Sequence, residues 1–181
     1  MIHIGAPTPS REPLGLLTDC HRRIETALAS LVSVAAGPSA LDDARLAALV
    51  KAQAFFHDMA PKHTADEEQS LFPRLRARGL TWPELDALER EHQEAEALHS
   101  LIDRTLDRWL AARLLDGESH AELQSQTQRL AELYARHIRV EDGIVFPRAC
   151  AELPLDEQEA VRREMVARRA VQIAPFPPLQ S

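Results

Sequence analysis

Four histidines are each followed, four residues later, by a glutamate: His21 and Glu25, His63 and Glu67, His92 and Glu96, His137 and Glu141. On an α-helix, residues at this spacing share a face with Cβ atoms about 5–6 Å apart, so each pair presents an imidazole and a carboxylate in one direction. One such pair is an ordinary surface contact worth about 0.2–0.5 kcal/mol. Four of them on four helices describe a cage for metal ions. Four carboxylates buried without counterions would cost several kcal/mol each, whereas two divalent cations balance them. Imidazole and carboxylate donors suit iron, manganese or zinc rather than calcium or copper(I), and a dinuclear carboxylate-rich site in a helical bundle favours iron.

The two halves of the chain repeat. HTADEEQSLFPRL from His63 aligns without gaps on HIRVEDGIVFPRA from His137, matching His, Glu, Phe, Pro and Arg at an offset of 74 residues, with Glu68 opposite Asp142. His21/Glu25 and His92/Glu96 are offset by 71. One helix hairpin used twice predicts an all-α, antiparallel four-helix bundle with a pseudo-twofold site and a short additional C-terminal helix.

The elements that must position these residues follow from the punctuation. Residues 1–12 read as a flexible N-terminal arm, 13–153 as the bundle, and 154–181 as a C-terminal helix and Pro-rich tail. A first helix spans Pro13–Ala36 and stops at Gly37-Pro38. A second begins after Ser39 with Asp42 and Asp43 in its first turn, and Pro61 predicts a kink just before His63. A third opens on a Thr81/Glu84 capping box and runs past Trp109 to Asp116-Gly117. A fourth opens on Ser119/Glu122 and ends before Pro147, and a fifth covers Leu155–Ala170. The RREMVARRA stretch of the fifth helix reads as a solvated basic face.

Other residues near these positions receive more ordinary roles. Glu68 and Asp142 point about 100° away from the metal face and read as hydrogen-bond partners. Glu25 and Glu96 have an alternative role as outer acceptors that orient histidine N–H groups, and His99, on the face of His92, is an alternative ligand to Glu96. Tyr134, Phe55, Phe56, Phe72 and Phe146 read as core, Cys20 as a small buried apolar residue, and His57, His3 and His120 as lying outside the site.

Composition narrows the class. Of 181 residues, 45% are hydrophobic, 27% are charged and six are glycine, which fits one helical domain with a substantial core. The net charge of −7 offers no attraction for phosphate backbones, which excludes nucleic acid as the expected partner. Two cysteines, Cys20 and Cys150, without a CxxC pattern fit a reducing compartment. No signal-peptide pattern opens MIHIGAPTPSREPLG and no run approaches the ~20 apolar residues of a membrane span, so a cytoplasmic location without membrane contact is expected.

The pattern H…HxxxE…H…HxxxE, with HTADEEQSLFP and HIRVEDGIVFP as its most specific pieces, resembles the hemerythrin-like (HHE cation-binding) domains over roughly Leu14 to Arg148. The resemblance implies a left-twisted four-helix bundle around a non-haem di-iron centre. It makes His21, His63, His92 and His137 the imidazole ligands and Glu67 and Glu141 the bridging carboxylates of two iron ions, Fe2+ or Fe3+, joined by an oxo or hydroxo bridge, with manganese or zinc as substitutes. The chain departs from the oxygen-carrying hemerythrins, which use five histidines and two carboxylates. Glu96 stands where they place a second histidine on the third helix, and Glu25 is additional. This shell is closer to ferritin-like di-iron proteins and to the hemerythrin domain of an iron-sensing F-box protein. The expected function is handling of O2 or a related small oxidant, peroxide or nitric oxide, in sensing, storage or redox protection, as a monomer or homodimer. A di-iron oxidase or peroxidase acting on a small substrate, and a metal-gated regulatory interaction module, are the alternatives.

Overall fold

The structure is a computed structural model and describes residues 13–170. The expected arm at 1–12, which holds His3, and the Pro-rich tail at 171–181 lie outside the described residues. The described chain is all-helical, with one isolated antiparallel bridge between Ala40 and Leu114. Its elements are α1 (Gly15–Ala35), α2 (Asp43–Asp66), a π-helical segment (Glu67–Leu71), α3 (Phe72–Ala77), α4 (Pro83–Ala112), α5 (Gly117–Val140), a second π-helical segment (Glu141–Val145), α6 (Phe146–Glu152) and α7 (Leu155–Ala170). Helix α1 packs on α2 and α5, and α4 packs on α5 and α2.

Two helix starts differ from the sequence expectation. Helix α4 begins at Pro83 with Trp82 at the N-cap and no side-chain cap, so Thr81 and Glu84 form no capping box. Proline suits that first position because its φ is already helical and its missing N–H would have had no partner. Helix α5 is capped by Asp116, whose Oδ1 accepts from Ser119 N at 2.8 Å, so Gly117 opens the helix instead of ending the previous one. Asp42 caps α2 in the same way, accepting from Arg45 N at 2.8 Å. Each cap contributes about 1 kcal/mol by satisfying an orphan donor.

Pro61 lies inside α2, which runs without a break from Asp43 to Asp66. The irregularity comes later and twice, at Glu67–Leu71 and Glu141–Val145, each segment ending two residues before a proline, Pro73 or Pro147. A proline ring clashes with the carbonyl four residues back and cannot donate; a wider π turn just before it relieves both problems. The helix then continues past Pro147 into α6 instead of stopping.

The apolar interior is divided in two. One cluster gathers Ile24, Leu31, Leu49, Phe56, Ile102, Trp109 and Leu130, and the other Leu17, Phe72, Leu75, Leu85, Leu88, Phe146 and Met165. The change from one cluster to the other falls between Leu17 and Cys20, Ala60 and Leu71, Leu88 and Ala95, and Ile138 and Val145, close to the histidine on each long helix. His21, His63, Glu67, His92, His137 and Glu141 fill that polar layer, all buried.

Helix α7 lies against α2 and the first π segment through Gln158, Val161 and Met165. Arg163 is exposed, as a solvated basic face requires, but Arg168 and Arg169 are not. Arg168 and Arg169 donate to the fully buried Asp66 carboxylate at 2.7 and 2.6 Å, Arg168 also reaches Ser70 Oγ at 2.6 Å, and Glu164 accepts from Arg74 at 2.7 Å. Among the described residues no helix is long and apolar enough to cross a membrane.

Candidate metal centre

Each side chain of the polar layer arrives on a different long helix or at its end. His21 sits on α1, His63 on α2, His92 on α4 and His137 on α5, while Glu67 and Glu141 are the first residues of the two π segments. The imidazoles pair across helices, His21 Nε2 lying 3.0 Å from His63 Nε2 and His92 Nε2 lying 3.1 Å from His137 Nε2. The two glutamates span both pairs. Glu67 places Oε1 3.2 Å from His63 Nε2 and Oε2 3.1 Å from His92 Nε2. Glu141 places Oε2 3.0 Å from His21 Nε2 and Oε1 3.1 Å from His137 Nε2. Two four-donor groups result, His21/His63/Glu67/Glu141 and His92/His137/Glu67/Glu141, with the donor atoms of each within 4.8 Å of one another.

These residues fit a pair of metal ions. All four glutamate oxygens are buried and accept no hydrogen bond, although a ring nitrogen lies close to each. Buried carboxylate oxygens in that condition are strongly penalised unless a cation meets them. Donors about 2.1 Å from one ion and at right angles to each other stand about 3.0 Å apart, and at tetrahedral angles about 3.4 Å. The observed 3.0–3.2 Å separations lie nearer the first value.

Outer carboxylates fix the rings. Nδ1 of His21 donates to Asp142 at 2.8 Å, Nδ1 of His92 to Glu68 at 2.8 Å, and Nδ1 of His137 to Glu91 at 3.0 Å. Placing the proton on Nδ1 leaves the Nε2 lone pair facing the centre and makes it a better donor. Glu68 and Asp142 thus act as the hydrogen-bond partners that their angular position predicts. Glu91 was not singled out in the sequence; its only signal is its place beside His92. His63 is the exception, its Nδ1 buried without a partner. The residue at the 71-residue offset from Glu91 is Cys20, so the first half of the chain has no carboxylate at the matching position. That thiol is pushed up to about 11 by burial, against the pull of Arg169, which suits a neutral packing residue.

Without cations the layer is electrostatically divided. Burial alone would lower His21 and His137, but the close carboxylates of Asp142 and Glu141, and of Glu141 and Glu91, outweigh it and raise each to about 9. Burial, reinforced by the charge of His21, holds His63 well below the usual imidazole range. Burial and the neighbouring Glu141 charge push Glu67 well above the usual carboxylate range. Burial opposes ionisation of Glu141 as well, but the close imidazoles of His137 and His21 bring it below that range.

Glu25 and Glu96 do not join the layer, which corrects the expectation of eight converging groups to six. Glu25 is exposed and accepts from Arg22 at 2.7 Å, and Glu96 is exposed. The apolar stripe of α1 and α4 continues at the third residue after the histidine, with Ile24 and Ala95 buried, so the fourth falls on the rim. His99 does not substitute for Glu96; its Nε2 lies 3.1 Å from the Tyr134 hydroxyl, and the Tyr134 ring is 6.3 Å from that of His137. His57 is outside the layer and pairs with Asp103 at 2.9 Å, and His120 packs edge-on to Trp109 at 5.4 Å.

His99 carries a pH consequence of its own. Burial, only partly countered by Asp103, lowers its imidazole from 6.5 to about 4, so protonation favours the unfolded chain. Its contribution is complete above pH 6.5 and is lost as pH falls toward 4. Wild-type stability, measured by denaturant titration relative to His99→Phe, is expected to stay level above pH 6.5 and to decline between pH 6.5 and 4. Parallel curves would contradict it.

Comparison with known proteins agrees with this centre. A protein of Haemophilus influenzae, described only as uncharacterized, is 26% identical over 167 residues, covering 88% of this chain and 91% of its own. The family model described as the hemerythrin HHE cation binding domain matches residues 12–149, and the chain belongs to that family.

Proposed function

We propose that this chain is a hemerythrin-like protein that holds two metal ions, iron foremost, and handles O2 or a related small oxidant such as peroxide or nitric oxide. The observation that carries this reading is the bridging placement of Glu67 and Glu141, each offering one oxygen to each histidine pair. His21 and His63 would hold one ion and His92 and His137 the other. Four long helices read as the antiparallel bundle, with α7 laid against it.

Bound iron supplies one-electron chemistry toward a diatomic or peroxide ligand. The protein's own part is to position and to exclude. Asp142, Glu68 and Glu91 hold the Nδ1 protons of three histidines, so those rings cannot turn away. Phe146 stacks on His21 at 5.4 Å and Phe72 lies parallel to His92 at 6.5 Å, and with Leu71 and Val145 they wall the lower side against water.

Elemental analysis of protein produced with iron, with absorption spectra under air and under reductant, tests the proposal. Two metal ions per chain and a ligand-to-metal band that responds to reductant are expected. Less than one ion per chain, or no such band, would refute it. The oxidase or peroxidase reading draws support from one observation, a cavity of about 440 Å³ whose lining includes His92.

A further inference from the structure

That cavity lies between α2 and α4, with Tyr134 of α5 at its back. Its volume of about 440 Å³ falls within the roughly 300–1,000 Å³ of small-molecule sites and far exceeds the need of a diatomic. Phe56, Ala60 and Pro61 form one wall and Ala95 and His99 the other. Phe56 lies 4.7 Å from His99 and 6.5 Å from Tyr134 by ring centres, so the three rings make one aromatic surface on which a flat ring can stack. Polar atoms on this surface are few: the Tyr134 hydroxyl and the imidazole of His99, joined at 3.1 Å.

Charge selects further. Glu68, Glu96 and Asp103 line the cavity, and no lysine or arginine is among its lining residues. His57 is engaged with Asp103 at 2.9 Å. An anion would be repelled from this mouth, whereas a group with a proton to donate is accepted by the carboxylates and by the Tyr134 hydroxyl oxygen, whose own proton can go to His99 Nε2. Glu68 and His92, joined at 2.8 Å, are both among the lining residues, so the cavity borders the metal layer.

We propose that the cavity between α2 and α4 is a binding site for a small uncharged phenol, its ring against Phe56 and its hydroxyl on the His99–Tyr134 pair. This names the substrate class for the centre described above and rests on that reading only for its consequence at the metals; the binding itself does not need them.

The test is calorimetric titration of the full chain with 4-methylphenol, metal-free and loaded with redox-inert zinc. Saturable binding of one molecule per chain is expected in both forms. His99→Phe keeps the packing and removes the partner that orients the Tyr134 hydroxyl, and Ser100→Trp obstructs the rim from an exposed position. Each is expected to weaken binding at least about tenfold, as is replacing the probe by its methyl ether, which cannot donate. Benzoate is expected not to bind. Equal affinity in the wild type and both variants, or for phenol and ether, overturns the proposal, as does failure to saturate. Elemental analysis separates the two readings. Phenol binding in a chain that retains no metal leaves this inference standing and the metal function refuted, and the converse result refutes this inference alone.

Discussion

Glu67→Gln is expected to strip both metal ions at once while leaving the metal-free fold intact. A single carboxylate serves both histidine pairs, with Oε1 at 3.2 Å from His63 and Oε2 at 3.1 Å from His92, so its loss removes a donor from each group of four. The loss in affinity should exceed the roughly 10–100-fold that removal of an outer partner costs. Stability of the metal-free protein should move the other way or not at all. Burial and the charge of Glu141 already disfavour an ionised Glu67, and a neutral amide of the same shape relieves that repulsion. Metal content by elemental analysis and denaturant unfolding of the chelated protein give the two readouts. Glu25→Gln and Glu96→Gln serve as controls and should retain the full metal complement, since both side chains are exposed. Retention of two ions by Glu67→Gln would rule out the bridging role.

Asp66→Ala is expected to be among the most destabilising single substitutions that leave the six inner residues untouched. The Asp66 carboxylate is fully buried and holds two guanidinium groups of α7, whose side chains are 22% and 26% exposed. Removing one partner of a fully buried pair costs about 3–5 kcal/mol. Partial exposure of both arginines reduces that to about 2–4 kcal/mol, or a fall in melting temperature of roughly 5–15 °C for a domain of this size. The same substitution in an Arg168→Met, Arg169→Met background should cost much less, because no stranded cations remain. An equal cost in both backgrounds would show that the effect is not the ion pair. Because Asp66 directly precedes Glu67, the tie also joins α7 to the metal layer.

Much of this organisation was legible along the chain. Helical spacing identified His63/Glu67 and His137/Glu141, and the 74-residue repeat placed them at equivalent points, where the structure puts two matching π segments. The start of α7 at Leu155 and the near-correct start and stop of α1 followed from prolines, glycine and apolar periodicity. Local signals misled where a stronger competitor stood nearby. Asp116 took the cap from Ser119, and Pro83 with its preset φ took the helix start from Thr81. At Pro147 a stop was expected, but a widened turn precedes it and the helix goes on, because packing on both sides holds it.

By itself the sequence determined the donor types, their helical spacing and their duplication, since these depend only on residue identity and the 3.6-residue turn. Tertiary structure decided which glutamates face inward. A residue four positions on is rotated about 40° from its histidine and one three positions on about 60° the other way, so the tilt of each helix against its neighbours chooses between them. On α1 and α4 that choice fell on Ile24 and Ala95, leaving Glu25 and Glu96 in solvent. Contacts between residues far apart in the chain, Glu91 with His137 and Asp66 with Arg168 and Arg169, likewise arise only when separate helices meet, and no local period records them.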